Sequence, residues 1–185
     1  LRIIAGQFRG LTLASVGKGD AAAHLRPTSD RVRESLFSML THHDVIEGAR
    51  VLDLFAGTGA LGFEALSRGA ASVCFVENGR SGQRLIGENM RKLDAAADTQ
   101  LLRHDATRLG PWTQAAFDLV FLDPPYGKSM GQKALAAAAE GGWLTPGAMV
   151  VWEESAPMQA PEGFARIDTR KYGDTHVTLL ERATN

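Results

Sequence analysis

Residues 50–69, RVLDLFAGTGALGFEALSRG, constrain the fold more than any other stretch. Val51 to Phe55 is an apolar run broken by one carboxylate, Asp53, and reads as a buried parallel strand. Gly57, Gly59 and Gly62 follow at G-x-G-x-x-G spacing, and Ala60 to Arg68 has helical composition ending at Gly69, a helix C-cap. A strand, a glycine turn and a helix in that order form a crevice where backbone N–H groups and a helix N-terminus face a ligand. Side chains larger than hydrogen would occupy the ligand's place.

With Glu77 twenty residues on, this pattern formally matches a dinucleotide fingerprint. Asp53 argues otherwise, because a carboxylate near the phosphate position would repel a pyrophosphate. It suits a ligand carrying an ammonium group, and S-adenosylmethionine has an ammonium, a sulfonium and a ribose but no phosphate. An NAD-linked oxidoreductase remains the rival from another enzyme class.

Downstream, strands and helices alternate. Strands are expected at Ala71 to Glu77, Thr99 to Arg103, Phe117 to Leu122 and Met149 to Trp152. Helices are expected at Arg80 to Leu93, Trp112 to Ala116 (short) and Lys133 to Gly141. This alternation predicts an α/β fold with a mostly parallel sheet and helices on both faces. Phe164 to Lys171 and His176 to Arg182 flank Tyr172-Gly173-Asp174-Thr175 and read as an antiparallel hairpin closing the sheet edge. Upstream, Leu1 to Ala14 reads as a β-hairpin, Val16 to Ala23 as a mobile loop, and the stretch up to about Leu40 as a helix capped by Thr28 or Ser29.

At 185 residues the chain forms one domain, 1–185, divided into a basic hairpin and loop (1–24) and a catalytic core (25–185). No run of eighteen apolar residues and no secretory signal occurs, so a cytoplasmic protein is expected. Cys74, the only cysteine, excludes an internal disulfide and a cysteine metal cage; its apolar neighbours make it an inert core thiol. No metal is expected, since His42 and His43 have no third ligand nearby. Net charge is −1, yet residues 1–33 hold six Lys/Arg against two acids. A basic N-terminal segment on an acidic remainder is a phosphate-binding footprint, with Arg2, Arg9, Arg26, Arg31 and Arg33 as candidate RNA contacts.

In open α/β sheets the ligand lies at the carboxyl ends of the strands, and Asp53, Glu77, Asp105 and Asp123 all fall there. Glu77 can accept both ribose hydroxyls. Asp105 can accept an adenine amino group while the Ala106 N–H donates to a ring nitrogen. At Asp123-Pro124-Pro125-Tyr126, two prolines stiffen a strand end and remove two N–H donors, leaving a rim of acceptors. The Asp123 carboxylate and Pro124 carbonyl can then hold both protons of one exocyclic NH2, aiming a poorly nucleophilic lone pair at an electrophile. Tyr126 offers a face for a planar base.

DLFAGTGALG at Asp53–Gly62 together with DPPY at Asp123–Tyr126 resembles the Rossmann-like S-adenosylmethionine-dependent amino-methyltransferases. RIIAGQFRG (Arg2–Gly10) and LRPTSDRVRESLF (Leu25–Phe37) resemble one branch, the bacterial 16S ribosomal RNA guanine-N2 methyltransferase D family, over nearly the whole chain. The resemblance implies a seven-stranded sheet of order 3-2-1-4-5-7-6. It implies methylation of one guanine N2 in small-subunit rRNA, on an assembled or partly assembled 30S particle. The implied cofactor site comprises Asp53, Phe55, Ala56, Gly57, Thr58, Gly59, Glu77, Asn78, Asp105 and Ala106. Asp123, Pro124, Pro125 and Tyr126 would hold the target base, in a monomer. The chain opens on Leu1 rather than Met, so a trimmed or altered start is expected. N6-adenine methylation of DNA or RNA is the nearest rival, because D-P-P-Y suits any exocyclic amine. A non-catalytic RNA-binding module would use the basic hairpin alone.

Overall fold

The structure is a computed structural model and describes residues 1–15 and 28–184. Seven strands form one sheet: β1 (Arg50–Leu54), β2 (Ser72–Val76), β3 (Thr99–Leu102), β4 (Phe117–Leu122), β5 (Leu144–Glu154), β6 (Phe164–Tyr172) and β7 (Thr175–Arg182). Their order is β3-β2-β1-β4-β5-β7-β6, as expected for a Rossmann-like methyltransferase fold. The first five strands run parallel; β7 pairs antiparallel with both β5 and β6. The terminal hairpin turns at Gly173, whose φ of 62° permits the two-residue connection between the paired Tyr172 and Thr175.

Among the described residues, four α-helices cover the sheet: α1 (Asp30–His42), α2 (Ala60–Ser67), α3 (Arg80–Lys92) and α4 (Met130–Glu140). Side chains alternate across each strand, so β1 sends Val51 to one core and Leu52 and Leu54 to the other. The first core packs Phe37, Phe63 and Ile86 against Phe75 and Phe121. The second packs Ala134, Leu135 and Ala138 of α4 with Trp143 and Trp152. Because both faces are covered, the parallel strands are mostly apolar, with Asp53 buried inside β1 and Asp118 exposed near the start of β4. Cys74 is buried in the second core, and the apolar surroundings push its thiol up to about 12.

Some expectations of local structure are corrected. Trp112 to Ala116 is not a helix; it is an irregular connection in which the Trp112 ring stacks 4.2 Å from Trp143 and packs on Phe117. An apolar cluster decides that segment, where sequence pattern alone favours helix. A short 3-10 turn forms instead at Ala106–Arg108, capped by Asp105. The N-terminal hairpin is antiparallel but minimal, with one bridge at Arg2–Thr12 and bonds from Ile3 N–H to Leu11 O (2.9 Å) and Leu13 N–H to Leu1 O (2.8 Å). Two expectations fall on residues 16–27, outside the described residues: the loop of Val16 to Ala23 and the phosphate contact of Arg26. Ser29 is the cap of α1, accepting from the Val32 N–H.

Among the described residues, the buried polar side chains of Arg33, Glu64, Ser67 and Asn89 hold the N-terminal ribbon. Glu64 on α2 accepts the Ile4 N–H (2.9 Å) and Ala5 N–H (3.2 Å), and pairs with Arg33 (3.4 Å) and Arg68 (2.9 Å). Asn89 on α3 accepts the Ala14 N–H (2.6 Å) and donates to the carbonyls of Ala14 and Thr58, both at 3.2 Å. Replacing Glu64 by Ala leaves the fully buried Arg33 guanidinium without its buried carboxylate. Urea unfolding of Glu64→Ala should show a loss of about 3–5 kcal/mol, and a loss below about 1 kcal/mol would contradict this anchoring.

Candidate active site

The crevice begins where β1 ends. Phe55 takes φ of 57°, a left-handed conformation that is uncommon for a bulky residue and turns the chain out of the sheet. Gly57 (φ 59°) and Gly59 (φ 82°) continue the turn, and Gly59 caps α2. Gly62 serves packing: a Cβ there would lie 2.5 Å from Phe75 and 2.8 Å from Val73, so only glycine lets α2 approach β2 this closely. Thr58 is buried, with its carbonyl held by Asn89. The glycine turn and the N-terminal ribbon are therefore tied to the same amide.

Three carboxylates shape the crevice by accepting backbone N–H groups. Asp53 is buried and accepts the Gly62 N–H at 3.1 Å. Burial pushes its carboxyl well above the usual carboxylate range, the Gly62 bond opposes this, and the charges of Asp123 and Glu77 reinforce it. A cation placed beside Asp53 would relieve that burden by favouring the ionised form. Glu77 spans two turns, Oε1 accepting the Gly57 N–H (2.8 Å) and Oε2 the Gly79 N–H (2.9 Å). Asp105 Oδ1 accepts both the backbone N–H (2.9 Å) and the hydroxyl (2.7 Å) of Thr107, which hold its carboxyl below the usual range.

Each acid therefore has a structural task, yet an ionised carboxylate has about four acceptor sites and these bonds use only one or two. The spare capacity fits a ligand presenting hydroxyl, amino and ammonium donors, which is the donor set of S-adenosylmethionine. Phe55, Ala56 and Gly57 are half-buried along the turn; Asn78 is exposed beside Glu77, and Ala106 is buried behind Asp105.

Strand register sets the second half of the site. Leu54 pairs with Leu122, so Phe55 and Asp123 leave adjacent strands at the same level. Asp123 is half-buried, Pro124 buried and Pro125 exposed. The Tyr126 hydroxyl lies 3.3 Å from Thr175 Oγ1, and the Gly127 N–H donates to Glu154 (3.2 Å). The DPPY turn is thus moored to β5 and to the start of β7. No group of three or more His, Cys, Asp or Glu among the described residues could hold a metal ion.

The basic residues divide. Arg2, Arg9 and Arg31 are exposed. Arg33 is not: it is fully buried, donating to the Arg2 carbonyl at 2.9 Å and pairing with Asp30 and Glu64. Its guanidinium holds the ribbon to α1 and α2, so the expectation that it meets phosphate is corrected. Glu64, Asn89 and Glu153 went unnoticed in the sequence because each acquires its partners only when distant segments meet.

The chain matches the family described as Conserved hypothetical protein 95 over residues 1–181. It is 34% identical to the ribosomal RNA small subunit methyltransferase D of Haemophilus influenzae, covering 98% of this chain and 93% of that protein. It is 35% identical to the protein of the same name in Escherichia coli K12, covering 87% and 78% respectively. The solved structure of yhhF from Escherichia coli superposes with a TM-score of 0.84 at 32% identity, covering 100% of this chain and 99% of that one.

The exposed arginines generate a test. Replacing Arg2, Arg9 and Arg31 by Ala should flatten the salt dependence of RNA binding by about 0.7 in log–log slope for every single-strand phosphate left without its arginine. An unchanged slope would make this face merely charged. Arg33→Ala should instead lower the urea midpoint.

Proposed function

The chain belongs to the Conserved hypothetical protein 95 family, and we propose that it methylates the exocyclic N2 amine of one guanine in the 16S rRNA of the small ribosomal subunit. Its substrate would be rRNA within an assembled or partly assembled 30S particle, met by a monomer in the cytoplasm. One observation carries the chemistry: the acceptor-rich DPPY turn leaves β4 directly beside the glycine crevice that ends β1. The names of the relatives from Haemophilus influenzae and Escherichia coli support small-subunit rRNA as the substrate.

S-adenosylmethionine, when bound, supplies a methyl group already activated on a positively charged sulfur. The residues of the chain would then orient and accept. Asp53 faces the ammonium, Glu77 the ribose hydroxyls and Asp105 the adenine amino group, each through lone pairs not used on backbone N–H groups. The peptide N–H groups of Phe55 to Gly59, with Asn78 and Ala106, complete the cradle. Asp123 and the Pro124 carbonyl accept the two N–H bonds of the guanine amine, so that its lone pair points at the methyl carbon. The methyl's bond to sulfur would break as its bond to nitrogen forms, the electron pair staying on sulfur as a neutral thioether, and the acidified amine would pass its proton to Asp123 or to water. Tyr126, steadied by Thr175, supports the flattened base, and the rigid Pro124-Pro125 pair sets the height of the rim.

An adenine N6 amine would fit the same rim, and the relatives' names favour the rRNA reading over it. A dinucleotide would bring its pyrophosphate toward the buried Asp53 and leave the DPPY turn without a task.

Two variants separate the two halves of the site. With labelled S-adenosylmethionine and unmethylated 30S particles, Asp123→Ala should abolish turnover while cofactor affinity stays within about threefold, since its contacts are with the amine. Glu77→Ala should weaken cofactor binding about tenfold or more, since both ribose contacts and the bonds that shape the turn disappear. Equal loss of affinity and turnover in both variants would contradict this division.

A further inference from the structure

Glu153 is a buried acid without a place in the mechanism above. It is 3% exposed, next to the last residue of the longest strand, and its Oε1 receives no hydrogen bond. A charged carboxylate is costly in such a place, whereas a carboxylic acid is tolerated. Its position is not accidental to the site. Leu122 pairs with Trp152 across the β4–β5 register, so the next residue on each strand, Asp123 and Glu153, stand side by side. At that register the two side chains lie on the same face of the sheet.

We propose that Glu153 is a positioning residue for methyl transfer: its carboxylic acid donates a hydrogen bond to Asp123 and thereby fixes which Asp123 lone pairs are offered to the guanine amine. Two carboxyl groups in contact cannot both be ionised without strong repulsion, and a hydrogen bond between them requires one proton. Glu153 is the deeper of the two, so it keeps the proton and Asp123 keeps the charge. An O–H to carboxylate bond is short and strong, which would hold Asp123 in one rotamer before the base arrives.

The surroundings agree. Burial raises the Glu153 carboxyl well above its ordinary value, and the charges of Asp123 and Asp53 act in the same direction. From β7 its register partner is Val177, buried and apolar. Helix α1, over the same face, brings Phe37 against Phe121, two residues before Asp123. Glu154 alternates to the other face, level with His176, where it accepts the Gly127 N–H.

The inference rests on the reading of Asp123 as the holder of the amine, and the test separates the two. Single-turnover methylation of unmethylated 30S particles would be measured from about pH 6 to 10 for the unaltered protein, Glu153→Gln and Glu153→Leu, with S-adenosylmethionine affinity as a control. Glutamine offers a permanent N–H donor and should keep most of the rate. Leucine, with no donor, should lose about tenfold to a hundredfold in rate at unchanged cofactor affinity. The unaltered protein should lose rate relative to Glu153→Gln as pH rises, because only Glu153 has a proton to lose, while ionisation of the RNA affects both alike. Glu153→Gln as slow as Glu153→Leu, Glu153→Leu at full rate, or a rate ratio independent of pH would overturn the inference. Were Asp123→Ala fully active, the functional reading itself would fail; an inactive Asp123→Ala beside any of those outcomes removes the role of Glu153 alone.

Discussion

Carboxylates that accept backbone N–H groups hold this crevice in shape. Glu77 bridges Gly57 and Gly79, Asp53 reaches Gly62, and Asp105 closes the turn at Thr107. Glycine turns of this kind are conformationally expensive to order, and three of these bonds come from glycine N–H groups that must be satisfied once the turn is buried. The same acids also concentrate negative charge at the carboxyl ends of adjacent strands. Asp53 feels both Glu77 and Asp123, so the crevice is primed for a ligand that brings positive charge and hydrogen-bond donors. Loop architecture and ligand preference thus have one physical origin.

The N-terminal ribbon extends that logic outward. Glu64 holds its first turn on α2, while Asn89 ties its end to Thr58 in the glycine turn. An exposed basic surface carried by Arg2 and Arg9 is thereby connected to the crevice through buried polar side chains. Arg31 lies on α1, whose buried Arg33 joins the same network.

Much of this was legible in the sequence because parallel strands buried on both faces are continuous apolar runs, and Val51 to Phe55 or Phe117 to Leu122 can be little else. The acids ending those runs stood out for the same reason. What escaped notice depended on long-range contact. Trp112 to Ala116 has a helical composition, but Trp143, thirty-one positions on, pulls Trp112 into an aromatic stack. Arg33 looks like one more basic residue in a charged helix until Glu64 appears beneath it. Glu153 lies just past the expected strand of Met149 to Trp152, and only the β4–β5 register puts a second carboxyl beside it. Asp105 caps the turn at Thr107, a bond two residues long, and keeps acceptor capacity to spare.

The central claim is that the amine presented at Asp123 belongs to guanine. The most direct measurement is nucleoside mass spectrometry of 16S rRNA after incubating unmethylated 30S particles with the protein and isotopically labelled S-adenosylmethionine. The account predicts a single labelled species, N2-methylguanosine, from one nucleotide per particle. Label in N6-methyladenosine, or in no nucleoside at all, would contradict it.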